Sequence, residues 1–78
     1  MNIEELWKEI RNEYFFATGK FGSFASAHEG IAVLREEYLE LEREVFKKNP
    51  DDKLLRKEAI QVGAMALRFL YDVCEDKK

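Results

Sequence analysis

With 78 residues, one cysteine and a formal net charge of −3, the chain is a single small domain. A disulfide within the chain is excluded, and the interspersed acidic and basic residues leave no basic face for a phosphate backbone, so nucleic acid is not an expected partner. A chain this short buries only about 60% of the surface its unfolded form exposes, which leaves a partner chain, a metal or both to make up a marginal core.

The first predicted helix covers about residues 3–16. Leu6, Ile10 and Tyr14 recur every fourth residue with Trp7 beside them, the helical period. The opening "MNIEELWKEI" is acidic and amphipathic, unlike the basic start and apolar run of an export signal. No stretch is long and apolar enough for a bilayer about 30 Å thick. The expectation is a soluble cytoplasmic protein with no membrane partner. A lone cysteine fits a reducing compartment.

"ATGKFGSFAS" follows, with two glycines and two serines and no helical pattern, and reads as a loop. Phe21 and Phe24 within it are costly to leave in water, which suggests a loop lying over another subunit. Ser26 and Glu29 have the S-x-x-E spacing of a capping box. They open a second helix over about 27–48, roughly 33 Å long, with Lys47 and Lys48 at its negative pole. "NPDD" turns into a third helix over 51–74, with Asn49 as cap and Pro50 at the first helical position; "EDKK" is expected to fray. The fold class is all-α, a three-helix chain forming a dimeric or higher helical bundle.

Helical spacing of about 100° per residue places Ile31, Leu34, Tyr38, Leu41 and Val45 on one stripe of the second helix. Glu37, Glu40 and Glu44 lie beside it, and Glu36 falls on the opposite flank. The third helix is apolar on two faces, one through Leu55, Val62, Ala66 and Phe69, the other through Ile60, Ala64, Leu67 and Tyr71. Such a helix is buried on most sides, more than two helices of one short chain can cover. A second copy is the expected cover.

Between those faces runs the strip Leu54, Glu58, Gln61, Met65, Arg68 and Asp72. Its polar groups need partners, since an unpaired buried charge is expensive. Glu58 and Gln61 are placed to face Glu37 and Glu40 across the helix hairpin, where a divalent cation with oxygen ligands would relieve the repulsion. The plain alternative is a solvated glutamate face with helix pairs of about 0.2–0.5 kcal/mol each, and Glu36 suits that role best. Arg68 and Lys57 are the cations near the strip. Arg68 most simply pairs with Asp72 one turn on, and meeting a phosphate is its second reading. Gly63 reads as a close-packing position and Cys74 as a small buried hydrophobe.

The spacing E-E-x-x-E in "EEYLE" (Glu36, Glu37, Glu40), followed by Glu58 in "EAIQ" on the next helix, resembles the MazG-like all-α nucleoside triphosphate pyrophosphohydrolases. The resemblance covers roughly residues 25–72. It implies that Glu36, Glu37, Glu40, Glu58 and Gln61 hold Mg²⁺ (or Mn²⁺) and that Glu37 and Glu40 serve catalysis. The lysines and asparagine with which the family grips phosphates have no clear counterpart here, and Lys57 and Arg68 are the only cations near the strip to meet a nucleotide. The resemblance further implies release of pyrophosphate and a nucleoside monophosphate by a homodimer or tetramer. The chain departs from the pattern at Gln61, where the family has Asp. An amide oxygen can coordinate Mg²⁺ but adds no charge and cannot act as a base. The alternatives are an inactive oligomeric binding or structural module on the same scaffold, and a helical adaptor whose third helix docks another protein.

Overall fold

Asn2 opens the first helix. Its side chain accepts a hydrogen bond from the Glu5 amide while the Glu5 carboxylate accepts from the Asn2 amide, a complete capping box. In the computed structural model, which describes residues 2–75, the elements are α1 (Ile3–Phe21), α2 (Ala27–Val45) and α3 (Asp52–Phe69), followed by a π-helical turn, Leu70–Glu75. No strand occurs among the described residues. The expected fraying of "EDKK" concerns residues 76–78, which lie outside them.

α1 runs five residues past its expected end at Phe16. Gly19 costs only about 1 kcal/mol relative to Ala inside a helix, and Ala17 beside it is among the most buried residues of the chain. The helix stops at Gly22, which has φ +76° and donates its amide to the Thr18 carbonyl. That left-handed backbone is open to glycine at little steric cost.

At the start of α2, Ser26 Oγ accepts from the Glu29 amide as expected. The Glu29 carboxylate reaches one residue further back, to the Ala25 amide at 2.6 Å. α2 ends at Val45, so Lys47 and Lys48 lie beyond it. The cap of α3 is Asp51 rather than Asn49. Asp51 Oδ1 accepts from the amides of Lys53 and Leu54, satisfying two donors that a helix start leaves open, and Pro50 stands outside the helix. The Asp51 amide is itself held by Glu44 Oε2 at 2.8 Å, which fixes the backbone ahead of the first turn.

α3 is the central element, and α1 and α2 each pack on it. The core consists of Ala17, Phe24, Ala64 and Met65, with Ile10, Tyr14, Val33, Leu34, Phe69 and Val73 packed around it. Phe24 is thus covered by its own chain, correcting the expectation of a loop laid over another subunit; Phe21 does remain exposed. The stripe expected to face the core of α2 is also displaced. Ile31, Tyr38 and Val45 are exposed, whereas Gly30 and Glu44 are buried.

Gly30 is the cause of that displacement. A Cβ there would lie 2.8 Å from Phe69 Cδ2 and 3.1 Å from Phe24 Cδ2. The bare backbone lets the Phe69 ring approach α2 closely there. Gly30→Ala should gain about 0.5–1 kcal/mol of helix propensity and lose about 1–3 kcal/mol by overpacking two core rings. The expected net is a loss of about 1 kcal/mol, read as a fall in Tm of roughly 4–8 °C. A variant that melts at or above the parent would show that the core has room to spare. Gly63 has the close-packing role expected of it, since a Cβ there would meet Ile10 Cδ1 at 3.2 Å. Cys74, expected buried, is exposed.

Candidate metal centre

Glu37 on α2 faces α3 because the helix is seated through Gly30, two turns earlier on the same side. Glu40 follows at i+3, and Glu58 comes from the first half of α3. One carboxylate oxygen from each of the three lies within 4.8 Å of the others. Glu37 and Glu58 are half-buried, and Glu40 is exposed.

Each of the two half-buried carboxylates has one oxygen that the protein leaves unpartnered. Glu37 Oε2 and Glu58 Oε2 are both enclosed and lack a hydrogen-bond partner, an arrangement that costs about 1–3 kcal/mol for even a neutral buried acceptor and more for a charged one. Burial raises the Glu37 carboxyl above the ordinary carboxylate range, and the negative charges of Glu40, Glu58, Glu13 and Glu36 push it the same way. Burial likewise raises Glu58, followed by the charge of Glu40 and a hydrogen bond with it; Lys57 opposes this and Glu44 adds to it. Clustered, mutually repelling carboxylate oxygens, two of them enclosed and unpartnered, are the kind of donor Mg²⁺ takes.

The other expected site residues are placed less uniformly. Gln61 sits one turn beyond Glu58 and lines a cavity of about 310 Å³ together with Glu37, Glu13, Met65 and Arg68. Glu36 is exposed and stands outside the trio. Lys57 is exposed and lines a second hollow, of about 360 Å³, which shares Glu13 and Gln61 with the first. The two hollows meet at Glu13 and Gln61 and make a groove along α3, bounded by α1 throughout and by α2 only at Val33 and Glu37.

Arg68 does not make its expected pair with Asp72. Its Nη2 donates to the Gly22 carbonyl at 2.9 Å, its Nη1 contacts Met65 Sδ at 3.2 Å, and its guanidinium lies 4.1 Å from the Phe24 ring centroid. Asp72 instead accepts from the Phe24 amide at 2.9 Å. The segment after α1 thus takes both side chains, through backbone groups more than forty residues away in sequence.

Three acidic residues with defined positions were not among the expected site residues. Glu13 of α1 borders both hollows. Glu9 forms a two-pronged ion pair with Arg56, which fastens α1 to α3. Glu44, in line with Glu37 and Glu40, is buried and holds the Asp51 amide and the Lys47 ammonium. Only Glu44 carried a signal, through its i+7 spacing from Glu37; the other two depend on how α1 docks.

These shifts have opposite consequences for stability. Glu37 and Glu58 have raised folded-state values, so ionising them opposes folding. That opposition is relieved as pH falls through their folded values toward 4.5. Glu44 is lowered, chiefly by the Asp51 amide, and Glu9, chiefly by Arg56; their contribution is present above 4.5 and is lost as pH falls through their folded values below it. The metal-free chain should therefore melt higher at mildly acidic pH, just above 4.5, than at pH 8, and lower again in stronger acid. A melting temperature that rises steadily from pH 5 to pH 8 would contradict the assignment of Glu37 and Glu58.

No family model, curated protein or solved structure matches the chain. No helix among the described residues is long and apolar enough to cross a membrane.

Proposed function

We propose that the chain is a MazG-like, Mg²⁺-dependent nucleoside triphosphate pyrophosphohydrolase acting as a homo-oligomer. The observation that carries this reading is the meeting of Glu37, Glu40 and Glu58 with two buried, unpartnered carboxylate oxygens among them. A divalent cation relieves that arrangement without rebuilding the fold.

Glu37, Glu40 and Glu58 would hold the cation, with Gln61 offering a neutral amide oxygen from the next turn and Glu36 adding negative charge from outside the trio. Bound Mg²⁺, or Mn²⁺, supplies positive charge against the triphosphate and lowers the pKa of a coordinated water. Glu37 and Glu40 are the carboxylates placed to accept a proton from attacking water; Gln61 cannot do so. Lys57, in the hollow beside Gln61, faces the phosphates with its positive charge. Attack of water on the α-phosphorus with cleavage of its bond to the β-phosphate oxygen yields a nucleoside monophosphate and pyrophosphate. Positioning and electrostatics carry most of such a reaction.

The test is Mg²⁺-dependent release of pyrophosphate from nucleoside triphosphates, abolished in Glu37→Gln. Metal binding without pyrophosphate release would assign the chain to the inactive-module class, and Gln61→Asp would then show whether the missing carboxylate is the reason.

The proposed second copy covers the flank of α1 and α3 opposite the groove. Trp7, Phe15, Leu70 and Tyr71 are all more than half exposed there. They border two shallow hollows floored by Ile10, Gly63, Ala66 and Leu67. No large side chain among the described residues is fully buried within one chain, so the apolar surface of α3 is only partly covered by its own helices.

A further inference from the structure

Arg68 is 97% buried by its 3% exposure. Its Nε is enclosed and has no hydrogen-bond partner, and among the described residues no carboxylate forms an ion pair with it. Such a donor is expensive to keep. It lines the same cavity as the unpartnered carboxylate of Glu37, so the cavity has an acidic pole and a cationic pole, each incomplete.

Arg68 lies toward the end of α3 away from Glu58. Helical side chains lean toward the N-terminus, and the contact of Nη1 with Met65 Sδ sets the guanidinium near the level of Met65. Met65 lies seven residues beyond Glu58, about 10 Å of helix rise. The surroundings of Arg68 are largely apolar: Phe24 lies over the guanidinium, 4.1 Å from its ring centroid, and Phe16, Phe21, Val33 and Met65 line the cavity with it.

We propose that Arg68 is a specificity residue that donates a hydrogen bond to a carbonyl oxygen of the nucleotide base, seated among these apolar side chains while the phosphates lie toward Gln61 and Lys57. This rests on the proposed nucleotide reading and adds a substrate class to it: nucleotides whose base carries an exocyclic carbonyl, such as guanine or uracil. Adenine lacks that group, and binding it leaves the Arg68 donor unsatisfied. A hydrogen bond from a charged donor distinguishes the two by roughly tenfold to a hundredfold.

The experiment measures binding with Mg²⁺ by thermal shift and calorimetry, using GTP, UTP, ATP and inorganic tripolyphosphate. GTP and UTP should bind at least tenfold more tightly than ATP, with tripolyphosphate no tighter than ATP. Arg68→Met should bring GTP and UTP down to the level of ATP while leaving tripolyphosphate unchanged. Equal affinity of the unaltered protein for all three nucleotides would overturn the role of Arg68 and leave the phosphate and metal reading standing. Failure of every probe, tripolyphosphate included, would overturn both. The comparison within the unaltered protein decides the matter even if Arg68→Met does not fold.

Discussion

Glu37→Gln should melt at a higher temperature than the parent chain when divalent cations are absent, and at a lower one when millimolar Mg²⁺ is present. The substitution keeps the shape of the side chain and removes one of three carboxylates within 4.8 Å of one another. In the parent, burial and the surrounding glutamates oppose ionisation of Glu37; the amide ends that opposition and can donate to Glu40 or Glu58. The same change removes a charged ligand, so the gain from metal disappears. A ligand bound only by the folded state stabilises it by RT ln(1 + [L]/Kd), about 2.7 kcal/mol at a hundredfold excess over Kd. For a domain of this size that is on the order of 10–20 °C in Tm, which the parent should show and Glu37→Gln should lack. A parent melt unmoved by 10 mM Mg²⁺ or Mn²⁺ would remove the metal centre from the account.

The second large effect concerns assembly. Trp7→Asp combined with Leu70→Asp should turn a dimeric or tetrameric protein into a monomer, read by sedimentation or by light scattering on a sizing column. Trp7 is 57% exposed and Leu70 56%, so within one chain the changes meet mainly water. Across an interface they would place two charges per copy in an apolar contact, where an unpaired buried charge is strongly destabilising. The Arg11 guanidinium over the Trp7 ring, 5.6 Å from its centroid, marks the polar edge of the patch. Because association stabilises the folded form by mass action, the parent Tm should rise with protein concentration and that of the double variant should not. A parent chain that sediments as a monomer throughout the micromolar range would remove the second copy.

Both results turn on the orientation of helices whose existence is plain in the sequence. The period of Leu6, Ile10 and Tyr14, the Ser26 cap with Glu29, and the apolar faces of residues 55–73 are local signals. Each depends on groups within a turn or two, so each can be read along the chain. The spacing of Glu36, Glu37 and Glu40 likewise places these carboxylates on neighbouring positions of a helix before any fold is known.

Where those carboxylates point was decided by contacts between helices. Hydrophobic spacing nominated Ile31, Tyr38 and Val45 for the core, yet the helix settled through Gly30, because only a missing side chain lets the Phe69 ring in. The end of α1 was set by Ala17 packing into the core and by the positive φ of Gly22, and not by the first glycine. Arg68 had a carboxylate one turn away and took the carbonyl of Gly22 and the ring of Phe24 instead. The sequence by itself determined the three helices and a row of acids at neighbouring positions of one of them. The tertiary structure alone decided which acids meet, and that a buried arginine shares a cavity with one of them, Glu37, because close packing and hydrogen bonding join residues that no local period connects.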